Sequence, residues 1–234
     1  MNIDPSEIVY FEWEFVRITA TLVFTWITMM VLAVGAFFLT RNLRSDTKIS
    51  RRQNAMEALF TMINDQIREI SQDKSGKILP FAGTLFIFIL ASVLLSLIPG
   101  FISPSGSLNT TIALALSVFF AVPAYGISSQ GIKGYLKDYL KPTWIMLPFN
   151  IISEISRVVS MAIRLYGNVM SSSIIVGILV TIVPLLFPVA LQLLGLLTGV
   201  IQAYIFAVLS VVYISAAIRN KDNNLSESNE LKEE

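Results

Sequence analysis

Apolar and polar positions alternate along this chain in blocks, and the block lengths predict its elements. The first long apolar run, Ile18–Thr40, is 23 residues without a charge. At about 1.5 Å per helical residue it crosses a hydrocarbon core of roughly 30 Å with some tilt. Two further uncharged runs, Leu79–Pro99 and Leu108–Ile127, are separated by a charge-free loop, Gly100–Ser107, which holds Pro104 and two glycines. The last block, Trp144–Ile218, has 75 residues and three charges, too long for one perpendicular span of about 20. It predicts two long tilted helices with a turn around Val183–Pro188, where Pro184 and Pro188 interrupt the helical hydrogen-bond ladder. The expected fold is all-α and polytopic: one membrane domain with about five embedded helices, ending in a long tilted hairpin.

The polar blocks set the orientation. Residues 1–17 carry Asp4, Glu7, Glu12 and Glu14 against Arg17 alone. A cleaved signal would open with a basic region and a shorter apolar run, so the first span reads as retained. Residues 41–78 hold eight lysines and arginines, and Ala55, Leu59, Met62, Ile63, Ile67 and Ile70 recur there at helical spacing. That spacing predicts an amphipathic helix over 50–72, lying on the membrane surface or a partner, or packed on its own protein. Residues 128–143 are polar again, with Lys133, Lys137 and Lys141, and 219–234 read as a solvated, disordered polar tail. Fourteen of the 17 lysines and arginines fall on one side if the chain crosses five times from an outside N-terminus. The positive-inside rule then places the C-terminus on the cytoplasmic side.

Composition narrows the chemistry. The chain is 54% hydrophobic and 14% charged, against about 25% charged in soluble domains. It has no cysteine and no histidine, which removes disulfides, thiol catalysis, imidazole bases and nearly all zinc chemistry. No phosphate-binding loop or nucleophile elbow is present, so an enzyme acting alone is not expected, and no cofactor or metal is implied. The net charge of +1 offers nothing to a nucleic acid.

The three charges of the final block are Glu154, Arg157 and Arg164. Each costs at least about 2.5–3.5 kcal/mol at membrane depth, which marks it as a functional candidate. Asn150, Glu154, Arg157, Met161, Arg164 and Asn168 follow one another at three- and four-residue steps, one polar stripe on a helix, with Glu154 and Arg157 spaced to pair. Arg164 then has no acidic partner on its own stripe, and a guanidinium stays charged there. Ser171, Ser172, Ser173, Gln202 and Tyr213 are the other polar candidates, with Gln202 placed to face Arg164 across the hairpin. A transporter with a midplane site would favour inverted repeats, and none is visible.

Arg164-Leu-Tyr-Gly-Asn168 resembles the R-L-F-G-N signature of subunit a of the rotary F-type ATP synthases. Gln202-Ala-Tyr-Ile-Phe206 through Val212-Tyr-Ile-Ser215 is similar to the family's following helix, and Leu108-Asn-Thr-Thr-Ile-Ala-Leu114 to an earlier span. Gln53-Asn54, Glu57-Ala-Leu59 and Asp65-Gln-Ile-Arg68 resemble its membrane-surface helix. The resemblance covers roughly residues 50–218 and implies an ion-conducting stator component. It would act beside a ring of c subunits and a b-type peripheral stalk, with Arg164 as the essential arginine between two half-channels. Two departures stand out: where the family commonly carries acidic or histidine relay groups, this chain has Ser173 and Gly195. The stretch Ile152-Ser-Glu-Ile-Ser-Arg157 is closer to the divergent N-ATPase branch, some members of which are thought to move sodium. Proton is the first expectation for the ion and sodium the alternative.

Overall fold

A computed structural model describes residues 9–13, 16–41, 58, 61, 64–70, 75–98, 101–140, 146–182 and 187–233. The chain opens with a feature that the block pattern did not predict. Strands β1 (Val9–Trp13) and β2 (Val16–Thr19) pair antiparallel, with Glu12 opposite Arg17 and a register shift between Val9 and Phe11. Val, Tyr, Phe and Trp are residues of high strand propensity, which suits this pairing. Everything after it among the described residues is helical or connecting.

Helix α1 (Ala20–Thr40) begins directly after β2. Two of its hydroxyls are absorbed internally: Thr25 and Thr28 donate to the carbonyls of Thr21 and Phe24, so neither needs a partner in lipid. Trp26, Met30 and Phe38 stand exposed on its outer side, as a lipid-facing helix requires. Phe24 meets Phe101 edge-on at 5.0 Å, tying α1 to the loop that follows the next helix.

Helix α2 (Ser75–Leu95) starts and stops about one turn before its apolar run does. The residues after it leave the helix through turns at 96–98 and reach a short 3₁₀ turn, Pro104–Gly106, which is buried. Ser103 donates to the Ser92 carbonyl at 3.2 Å and its hydroxyl lies 2.9 Å from that of Ser105. The uncharged loop is therefore folded inward, and its hydroxyls replace the water that an exposed loop would use.

Helix α3 (Leu108–Leu140) joins the third span to the polar segment after it. The two parts meet at Gly131, whose φ of +78° breaks the helical path. Only glycine takes that conformation without steric cost. Helices α4 (Met146–Ile182) and α5 (Phe187–Glu233) form the expected hairpin. The turn expected around 183–188 falls largely on 183–186, outside the described residues, and Pro188 lies in the first turn of α5, where its missing N–H costs nothing.

Two apolar clusters hold the bundle. The first joins Leu85 and Ile89 of α2, Ala115 and Val118 of α3, Met161, Ala162 and Leu165 of α4, and Ala203 and Phe206 of α5. The second joins Ile78, Ala82, Ala121, Val211, Ile214 and Ile218 with Ile67. Ile67 belongs to the predicted surface helix, whose described stretch 64–70 is helical. This stretch packs on its own protein: Ile67 is buried, and Tyr204 donates to the Gln66 side chain at 2.6 Å. Most of 50–63 lies outside the described residues.

One expectation is corrected. The backbone of the polar tail 219–234 continues α5 as helix to Glu233. The tail has no proline or glycine to stop a helix, and its lysines, glutamates and leucines are good helix formers.

Candidate functional site

The polar stripe of α4 is real, and the tertiary structure divides it in two. At the Met146 end, Asn150, Ser153, Glu154, Arg157 and Met161 line a cavity of about 390 Å³. Tyr213, Ala216 and Ala217 of α5 close one side and Val118 and Val122 of α3 another. The Arg157 guanidinium lies over the Tyr213 ring, 5.2 Å from its centroid. An aromatic face on α5, and not only Glu154 one turn back, is thus placed to receive this charge; such contacts contribute about 0.5–2 kcal/mol.

At the hairpin end a second cavity, about 360 Å³, lies between α4, α5, α2 and the folded loop. Its polar lining is Ser172 and Ser173 of α4, Gln192 of α5, and Ser96 and Ser103. Gln192 donates to the Ser96 carbonyl at 3.5 Å, while Ser173 returns its hydroxyl to the Val169 carbonyl at 3.0 Å. Ser173 and Gly195, far apart in sequence, both line this cavity.

Arg164 lines neither cavity. It follows Met161, the last α4 residue of the first, and precedes Val169, the first α4 residue of the second. Leu165 beside it is fully buried, so the arginine turns outward with the exposed Val159, Ser160 and Ile163. Among the described residues no hydrogen bond or ion pair reaches Arg164. The face it stands on is open: between residues 148 and 182 of α4 only Met161, Ala162 and Leu165 are buried within the chain. An uncovered, mostly apolar face bearing one unpartnered cation fits a partner that brings both apolar surface and negative charge.

Asn168 and Gln202 enter neither cavity. Asn168 donates to the Thr198 carbonyl at 3.1 Å and so bridges the hairpin. Gln202 is 5% exposed, set beside the buried Ala203 and one turn from Phe206. No hydrogen bond joins it to Arg164, because Arg164 faces out of the bundle while Gln202 faces in. Ser171 is exposed and lines neither cavity. The reading of the sequence passed over Tyr135, which lines the first cavity from beyond the Gly131 bend. Its ring occupies the space where a side chain at Gly126 would stand, 2.6 Å from that position. A glycine at 131 within a long helical pattern was the signal available for this fold-back.

These features define a class: a polytopic α-helical protein of the membrane, with a polar-striped hairpin that carries Arg164 on its open face. Comparison with known proteins makes the class particular. The sequence profile described as ATP synthase A chain matches residues 22–215. "ATP synthase subunit a 2" of Acaryochloris marina is 54% identical over 231 residues, 99% of each chain. "ATP synthase subunit a" of Albidiferax ferrireducens is 52% identical, covering 94% of this chain and 96% of that one. "ATP synthase subunit a 1" of Prosthecochloris aestuarii is 51% identical over 95% and 100% of the two chains. The chain belongs to the ATP synthase A chain family. It is an integral membrane component of the ATP synthase complex and is not itself catalytic.

Proposed function

We propose that this chain is the ion-translocating stator subunit of a rotary ATP synthase, with Arg164 separating two half-channels. The carrying observation is the arrangement along α4: a polar cavity on either side of Arg164, and Arg164 itself on the open face. The partner on that face is a ring of c subunits, each bearing a carboxylate within the membrane. Arg164 attracts an ionised carboxylate and repels the transported cation, so each carboxylate opens as it passes and ions do not cross directly between cavities. One charge moving down 100 mV releases about 2.3 kcal/mol, which drives ring rotation. A b-type peripheral stalk holds the subunit still, and the surrounding lipid covers the remaining apolar surface.

The first cavity, which Tyr135 lines from beyond the Gly131 bend, serves the cytoplasmic side, and the second, beside the uncharged loop, the opposite side, with the N-terminus outside. Asn150, Glu154, Arg157 and Tyr213 belong to the first route. Ser172 and Ser173 belong to the second, and Asn168 holds the hairpin between them. The transported ion is a proton. The neutral lining of the second cavity favours keeping one alternative, sodium, as in the N-ATPase branch. ATP-driven uptake into vesicles holding the whole complex tests both. Acidification that a protonophore collapses and sodium leaves unchanged supports the proton; sodium uptake that survives the protonophore overturns it. ATP hydrolysis that moves neither ion, in a complex with this subunit assembled, refutes the proposal.

A further inference from the structure

No ionisable side chain lines the second cavity: among mostly apolar residues its polar groups are Ser96, Ser103, Ser172, Ser173 and Gln192. An ion crossing it meets hydroxyls, an amide and water, so the rate depends on how wide the water path is. One close approach lies in its wall. A Cβ placed on Gly195 of α5 would coincide with the Ser172 hydroxyl and stand 3.0 Å from the Ser172 Cβ. One turn further along α5, a Cβ on Gly199 would stand 2.6 Å from Val93 of α2, another residue of the cavity lining. The α5 helix therefore has a notch at each glycine; the one at Gly195 lines the cavity, and Ser172 fills it with its hydroxyl.

We infer that Gly195 sets the aperture of this cavity by storing the Ser172 hydroxyl in the space its own side chain would take. Any side chain at 195 turns that hydroxyl out of the notch and into the passage between the hairpin end of the cavity and its Arg164 end. Positions 172 and 195 act as one unit, which holds the path open for a small hydrated cation without a side chain that binds and releases protons. The role in ion passage rests on the proposed function; the aperture itself does not.

The absence of cysteine in the chain provides the assay. Val169 and Val176 both line the cavity, on opposite sides of Ser172 along α4 and about 10 Å apart by helical rise. V169C lies on the Arg164 side of the notch and V176C on the hairpin side. Each is introduced separately into the assembled complex in vesicles, and the rate of labelling by a small cationic methanethiosulfonate is followed on this subunit. With G195S added, labelling of V169C falls about tenfold, as overpacking of a tight contact produces, while V176C keeps its rate. Exchanging the two residues, S172G with G195S, puts the hydroxyl in a notch on the other helix and restores V169C labelling. An unchanged V169C rate in G195S, or no restoration in the exchange, overturns the inference. If G195S does not assemble, S172G alone decides: emptying the notch leaves V169C labelling at or above its starting rate, and a fall overturns the inference. ATP-driven uptake is read on the same vesicles. The expected labelling pattern with uptake unaltered by G195S leaves the aperture standing and removes this cavity from the ion route.

Discussion

Replacing Arg164 separates what its charge does from what its shape does. The two cavity linings end on α4 at Met161 and Val169, eight residues apart, a gap of about 12 Å. For an ion that passes between them about 6 Å from the guanidinium, two like charges repel by about 3 kcal/mol at an effective dielectric constant near 20. Removing that barrier raises direct leakage roughly 100-fold, since each 1.4 kcal/mol is a factor of ten. Arg164→Ala is therefore expected to abolish ATP-driven uptake and to raise passive ion permeability of vesicles holding the complex. Fold is preserved, because the side chain faces outward and Leu165 carries the packing. Arg164→Lys keeps the charge but loses the planar fork that engages a carboxylate with two bonds. It is expected to stay tight to leakage while losing most coupled uptake. Uptake that persists in Arg164→Ala refutes the reasoning, and leakage equal in the Lys and Ala variants refutes the electrostatic half of it.

Three other outcomes follow from particular contacts. Tyr213→Leu removes the ring beneath Arg157 and is expected to slow ATP-driven uptake several-fold, in line with a contact of about 0.5–2 kcal/mol, whereas Tyr213→Phe keeps the ring and most of the rate. A leucine variant as fast as the parent would remove the aromatic seat from the first route. Gly131→Ala forces a side chain onto a φ of +78° and is expected to lower the thermal stability of the assembled subunit by about 1–2 kcal/mol. The same variant, by disturbing the fold-back that seats Tyr135, should alter access of a thiol reagent to S153C in the first cavity. Ser103→Ala unpairs the buried hydroxyl of Ser105 and the Ser92 carbonyl, with an expected loss of about 1–3 kcal/mol, measured by thermal aggregation of the purified complex.

Much of this protein is legible in one dimension. The number of spans follows from run length against bilayer thickness, because a helix in lipid must satisfy its backbone internally and so needs an unbroken apolar stretch. The stripe from Asn150 to Asn168 follows from helical period alone, as does the prominence of Arg164, since ionised residues at that depth are costly. The division of the last block into two long helices follows from its length in the same way. The β-hairpin before α1 and the helical course of 219–233 were not read. Both rest on propensities that a hydropathy reading does not weigh.

Tertiary structure alone decided how that stripe is used. Period places Arg157 and Arg164 on one face, yet the packing of α3 and α5 puts Arg157 into a cavity and leaves Arg164 outside on the open surface. Gln202, aligned with Arg164 in the sequence pattern, faces inward beside Ala203 because α5 buries that side against the core. The pairing of Ser172 with Gly195, and the return of Tyr135 to Gly126, join positions by the space a glycine leaves. That space is a property of two helices pressed together, and no spacing along a single chain encodes it.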